Sequence, residues 1–420
     1  MSAQRRWPTP WIFSLLILPL GMAFGFISTP LPFLLAQAGV PADRIATAVA
    51  IGISPGAVGL VIAPLVDVKL RRRTWLAIGI FGTAVGACIY FPLIGAAHLV
   101  LLTALVFAAG MVSFFVMAGC GGLMVKILSP ADQSKAAGWT QAGLLGGGVL
   151  SGGVVLWIVA RLPLWVAGVC FAALIAPLGI LPFTIPEPAP PPSAWFRGRF
   201  SAIGKEIWGL LRSPERRWGM LLLISPCATG AAQNLLPAIA SHYGVGETGV
   251  MWINGIGGGA ALALGAFCST LIPTDWDRRL TYAAAGVTNA LAAILLLFAS
   301  RPTVYWVGTA LYLATTGLCA ARSVALMVEI VGPEARDAST LYSLLNAAVS
   351  GAVVYVTWLD GVGFRHFGTH GLLLTDGLLN LLMFGIVATI FITRGMGLRS
   401  VSNGTALESD STCVRKIPPH

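Results

Sequence analysis

The residues of this chain that could do chemistry are charges stranded inside apolar runs. Arg322 lies well inside the run from about 303 to 331. A guanidinium there could hold a carboxylate or phosphate through two parallel hydrogen bonds. The competing reading is an internal pair with Glu329, seven residues on along the same helical face. Asp376, about two turns into the run from 370 to 393, could carry a coupling proton. Gln233, Asn234, Gln141, Asn346 and Tyr312 could line a polar path, as could Ser28, Thr29 and Asn254. Each of these alone would serve equally as an interhelical hydrogen bond. This chemistry is binding and proton carriage, not bond breaking. The sequence has no GxxxxGK(S/T) phosphate loop, no nucleophile–base arrangement and no cluster with metal-ligand spacing. Seven cysteines stand singly, six inside apolar runs, and read as small buried apolar residues. No cofactor, metal or catalysis is expected.

The elements that must position these residues are membrane helices. Only 10% of residues are charged and 56% are apolar, so a soluble surface could not be covered. The apolar runs are about 20 residues or longer, the length a helix needs to cross the hydrocarbon. Breaking the chain at polar turns predicts twelve spans, numbered here in chain order. The first six are roughly 11–37, 45–66, 74–94, 98–127, 136–160 and 164–184. The second six are roughly 218–241, 248–272, 280–300, 303–331, 338–359 and 370–393. Arg5 and Arg6 precede span 1, which is too long for a signal-peptide core and reads as a retained helix. Four units follow: 1–185, a linker 186–217, 218–400, and a tail 401–420 without apolar period. The linker opens on the proline-rich stretch 186–192 and continues as an amphipathic surface helix from Trp195.

Basic residues set the orientation. Arg5, Arg6, Lys69, Arg71, Arg72, Arg73, Lys126, Lys135, the linker, Arg278, Arg279 and Arg336 fall on the side of both termini. The opposite loops hold Arg44, Arg161, Arg301 and Arg365. The positive-inside rule then puts both termini in the cytoplasm of a multi-pass inner-membrane protein. It also accounts for the net charge of +10, so nucleic-acid binding is not expected. Asn403-Gly-Thr, in the cytoplasmic tail, is not read as a glycosylation site.

A short segment recurs at half the chain length. Met124-Val-Lys-Ile-Leu-Ser-Pro130 is echoed by Met327-Val-Glu-Ile-Val-Gly-Pro333, 203 positions later. Both copies end the helix at the same place in each half, spans 4 and 10, which points to a parallel internal repeat. Lys126 and Glu329 are equivalent with opposite sign, and are expected to meet across a cytoplasmic gate when it closes.

The turn after span 2 reads Pro64-Leu-Val-Asp67-Val-Lys-Leu-Arg71-Arg-Arg-Thr-Trp75-Leu76. An acid followed by clustered arginines can act as a charge relay between helices. Asp67, Arg71 and Arg72 resemble the cytoplasmic signature of the major facilitator superfamily, with Ala63 and Leu70 where glycines would stand. Pro64 to Leu76, and Ser151-Gly152-Gly153 with Leu156-Trp157, resemble the muropeptide permease and acetyl-CoA transporter branch. The chain departs from that branch in span 4, where Ala118 and Gly122 replace a pair of acids. The resemblance implies the major facilitator fold: all-α, twelve spans in two pseudo-symmetric halves. It implies that span 10 lines a central cavity, that glycine-rich spans 5 and 8 meet between the halves, and that span 12 is peripheral. A peripheral span 12 would make Asp376 a snorkelling or paired structural acid. The expected activity is alternating-access transport of a small anionic or zwitterionic solute (muropeptide-, acyl-CoA- or siderophore-like), coupled to a proton or another ion. The protein is expected to be a monomer in the bilayer. An exporter of the same superfamily is the alternative, disfavoured by the missing proline signature in span 5. A membrane sensor or enzyme is the remaining class.

Overall fold

The computed structural model describes residues 9–59, 70–128, 130–185, 187, 208–209, 212, 214–273, 276–298, 301–331 and 338–393. Nearly all are helical, as an apolar solvent demands: only a helix can satisfy each backbone amide within its own segment. Nine helices among the described residues are long and apolar enough to cross a membrane. Eight correspond to spans 1, 3, 4, 5, 6, 8, 9 and 10. The ninth, Leu341–Thr393, carries spans 11 and 12 as one element. Helical geometry fails there at Phe367 and at Gly368, which adopts a φ of +63° that a side chain would strain. The chain doubles back at that point, and Gly363 and Gly371 touch backbone to backbone.

Spans 2 and 7 depart from the expected single helices. Span 2 appears as Ala42–Ile53 and Pro55–Val58, with a proline opening the second piece. The remainder, with Asp67, lies outside the described residues. Span 1 is also divided, into Ile12–Ser28 and Pro30–Gln37, because Pro30 lacks the amide that would continue the first helix. Of the predicted linker helix Trp208, Gly209, Arg212 and residues 214–217 are described, the last within Pro214–Ile224; Arg212 lies over the Trp208 ring at 5.5 Å.

Within each half of the chain, glycines let helix backbones touch. Gly21 and Gly25 of span 1 pack on the backbone of span 5 at Leu144 and Gly148. In the second half, Gly265 of span 8 and Gly317 of span 10 face the backbones of Ala314 and Leu262. In lipid such close approach replaces the hydrophobic driving force available in water. A methyl group at Gly265 would overlap the Ala314 carbonyl, so neighbouring backbone would have to move.

Gly265→Ala is therefore expected to destabilise the protein by about 1–3 kcal/mol, read as a lower melting temperature in detergent. Gly146→Ala, where nothing lies within 4 Å, should leave it unchanged or slightly higher.

Candidate functional site

Span 7 shows the largest departure from regular helix. Pro214–Ile224 ends mid-run, residues 225–230 are non-helical, and the chain resumes as Ala231–Asn234 and Leu236–Ile239. Ala228 has φ +53° and Gly230 φ +59°, so the chain turns through the left-handed region twice in three residues. The freed backbone groups are met by side chains from three other spans. Tyr355 of span 11 donates to the Ile224 carbonyl at 2.7 Å, and Tyr282 of span 9 to the Cys227 carbonyl at 2.7 Å. The Ala228 amide donates to Asn380 Oδ1 of span 12 at 2.7 Å. Gly286 makes room for that last bond, since a Cβ there would lie 2.9 Å from Asn380 Oδ1.

Asp376 sits one turn before Asn380 and is fully buried. Its Oδ2 accepts from the Tyr312 hydroxyl at 2.8 Å, and its backbone carbonyl from Asn380 Nδ2 at 2.9 Å. Asp360 of span 11 is also fully buried. Neither Asp360 oxygen, nor Asp376 Oδ1, meets a protein donor. One turn before Asp360, Thr357 accepts a hydrogen bond from Asn234 Nδ2 at 3.3 Å.

The two halves of the chain meet firmly at one end. Asp43 at the start of span 2 pairs with Arg365 beyond span 11 at 3.2 Å, and Gly361 packs against Ala46. Further into the membrane, Gly152 of span 5 faces Gly255 of span 8, where an added Cβ would lie 2.9 Å from the Gly255 Cα. Both helices carry a π-helical turn there, Ser151–Val155 and Met251–Ile256. Such turns cost hydrogen-bond geometry and cluster at sites that work.

At the arginine-rich end, arginines are held by backbone carbonyls and by two carboxylates. Arg72 Nη1 donates to the Gly122 carbonyl at 2.9 Å, while Glu187 accepts from the amides of Arg72 and Arg73 at 3.0 and 3.1 Å. Arg278 Nη1 donates to the Ala325 carbonyl at 3.1 Å. Asp277 caps that helix by accepting from the amides of Arg279 and Leu280. Gly122 and Ala325 each lie two residues before the recurrent methionine, so one arginine–carbonyl tie is made twice.

Arg322 is buried, and its Nη2 donates to Thr281 Oγ1 at 2.7 Å. Its Nε meets no acceptor, and Arg278 acts on it as a like charge. Glu329, the expected internal partner, is instead engaged by Arg278 at 3.5 Å and Arg279 at 3.8 Å. The Lys126 side chain, like all of Asp67, lies outside the described residues, and Arg71 is exposed. Asp376 does not snorkel: span 12 turns this face inward, onto spans 9 and 10. Tyr312 is fully buried against Asp376 and is not an open path residue. Asn234 is buried on Thr357, Gln233 and Asn346 are half-buried, and Gln141 is exposed. Sequence reasoning missed Asp360, the break in span 7 and its three capping side chains. Pro226 and Gly230 inside an apolar run were the available signal.

Comparison with known proteins gives a family and a fold. The sequence model of the Major Facilitator Superfamily matches residues 13–353. A D-xylose–proton symporter superposes with a TM-score of 0.68 at 15% identity, covering 95% of this chain and 99% of its own. A POT family transporter in complex with 5-aminolevulinic acid gives 0.68 at 10% identity, over 92% and 96%. The nucleoside transporter NupG gives 0.68 at 10% identity, over 91% and 99%. At these identities the likeness is one of fold. No curated protein sequence matches the chain.

Asn380→Ala should leave the Ala228 amide without an acceptor in the apolar interior and cost about 1–3 kcal/mol. The measurement is thermal melting in detergent. A melting temperature equal to wild type would mean that the break of span 7 does not depend on this bond.

Proposed function

We propose that this chain, which belongs to the major facilitator superfamily, is a secondary transporter of a small anionic or zwitterionic organic solute. It works by alternating access between two six-helix halves, residues 1–185 and 218–400, joined by the linker 186–217. The direction of this reading is uptake, driven by a proton gradient, across an inner membrane with both termini in the cytoplasm. One monomer is the working unit.

The observation that carries this reading is the way the two halves meet. At the Asp43–Arg365 end they are joined by an ion pair and by Gly361 packed on Ala46. Elsewhere the seam is made by Gly152 and Gly255, small residues on two helices that each carry a π turn, which suits a surface that must part and re-form. Closing the arginine-rich end would need Glu329 to exchange partners, with Lys126 of the other half as the proposed acceptor of its charge.

The solute class follows from Arg322. A buried guanidinium with a free Nε and a like-charged neighbour favours an anion. A carboxylate or phosphate of a muropeptide-, acyl-CoA- or siderophore-like molecule fits that requirement. Gln233, Asn346 and Gln141 are proposed as further contacts along the path.

Thermal shift with a muramyl peptide, an acyl-CoA and a ferric siderophore tests the solute class. At a ligand concentration about 100 times Kd, binding should stabilise the protein by about 2.7 kcal/mol, and Arg322→Gln should remove that shift. A shift of full size in Arg322→Gln would exclude the guanidinium from the site. Alternating access is tested by oxidising an Ala46→Cys, Gly361→Cys pair, which should stop uptake of the stabilising solute until a reductant is added. Undiminished uptake by the cross-linked protein would show that this end never opens.

A further inference from the structure

We propose that Asp360 and Asp376 together bind one proton at the break of span 7, and that this proton holds spans 11 and 12 against the broken helix.

Four observations converge on it. Both carboxyl groups are fully buried, on neighbouring helices drawn together by the Gly363–Gly371 contact. Two buried carboxylates on adjoining helices cannot both carry charge without a compensating cation. Among the described residues none is supplied by the protein, since no arginine, lysine or histidine pairs with either. The hydrogen-bond pattern is also unequal. Tyr312 donates to Asp376, which suits Asp376 to hold the negative charge. Asp360, with both oxygens unmet, is the member that needs a proton of its own.

The remaining polar groups around the pair are neutral hydrogen-bonding partners. Span 10 contributes Tyr312, and span 9 contributes Asn289, which donates to the Tyr312 carbonyl. Span 12 contributes Asn380, which donates to the Asp376 carbonyl, and Asn234 of span 7 donates to Thr357, one turn before Asp360. A sodium ion would require five or six oxygens, and the Tyr312 hydroxyl already points its hydrogen at Asp376. A proton needs only the two carboxyl groups.

The location gives the proton a mechanical role. Asn380, one turn after Asp376, holds the Ala228 amide, and Asn234, beyond the break, holds Thr357, one turn before Asp360. Loss of the proton would set two negative charges against each other between the helices that clasp span 7. The break would then loosen, which couples protonation to the position of a helix shared with the proposed solute path.

The role in coupling rests on the transporter reading, but the site itself can be tested without a solute. The first measurement is the infrared carbonyl band of a protonated carboxylic acid in purified protein. Wild type should show the band at neutral pH, Asp360→Asn should lose it, and Tyr312→Phe should shift it. A wild-type protein without the band, or an Asp360→Asn protein that retains it, overturns the proposal. So does a stability that rises with sodium at fixed pH and not with acid.

The second measurement is maleimide labelling of Cys227, which is buried in the break, with the other cysteines replaced by serine. Dividing the wild-type rate by the Asp360→Asn rate at each pH removes the ordinary ionisation of the thiol. One titrating proton should raise this ratio about tenfold per pH unit through its transition. A flat ratio would overturn the mechanical role.

Discussion

A helix interrupted in hydrocarbon must find partners for every backbone group it frees, and in this protein span 7 depends on that condition. Residues 227–230 are buried, and Tyr355, Tyr282 and Asn380 reach the break from three other spans to meet the backbone groups it frees. Those three side chains fix how spans 9, 11 and 12 sit around span 7. The same packing then carries Asp360 and Asp376 into the interior. The buried acids are a consequence of how the break is capped, since Asn380 caps it and Asp376 lies one turn away on the same face. A polar site is expensive in this solvent, and it is made where an expensive irregularity already had to be satisfied.

Close backbone contact plays the complementary part between the halves. Gly152 and Gly255 meet where both helices relax into a π turn, and Gly361 meets Ala46 beside the Asp43–Arg365 pair. Contacts between small residues have no interdigitating side chains to lock them, so surfaces of this kind can slide or part at modest cost. The contacts inside each half are different. Gly265 against Ala314 and Gly317 against Leu262 are accompanied by directional bonds, such as Asn289 to the Tyr312 carbonyl and to Thr316. Each half is therefore built as a stiffer body than the seam between them.

The membrane class and the helical architecture were legible because each rests on composition or spacing, while the seam at spans 5 and 8 came from the family resemblance, with only its glycines visible in the residues. Apolar run length, the sign of the loops and clustered glycines survive without knowing what faces what. The acid pair was not legible for the opposite reason. Asp360 follows an apolar run at the position where a turn was expected, and only the continuation of helix to Phe367 makes it an interior residue. Asp376 was visible but was assigned to a periphery, because a span's rank in the fold does not say which of its faces carries the acid. The break in span 7 hid behind high hydropathy, since Pro226 and Gly230 barely lower the mean over the run. Arg322 was found by its cost alone, and its partner Thr281 could not have been, because a hydroxyl forty-one residues away carries no sequence signal.

The recurrent segment gains a physical meaning from the arginines opposite it. In each copy, the carbonyl two residues before the methionine accepts from an arginine at the start of the preceding long helix, at 2.9 Å in one half and 3.1 Å in the other. A tie made twice at equivalent positions is hard to ascribe to chance. It identifies what the repeat preserves, which is a rigid corner joining two helices at the arginine-rich end. The charge carried one turn beyond the tie has diverged: the second copy places Glu329 beneath Arg278 and Arg279, while the first carries Lys126. The acid is engaged within its own half by Arg278 and Arg279, so the second corner joins two helices by a charge pair as well as by the arginine–carbonyl tie.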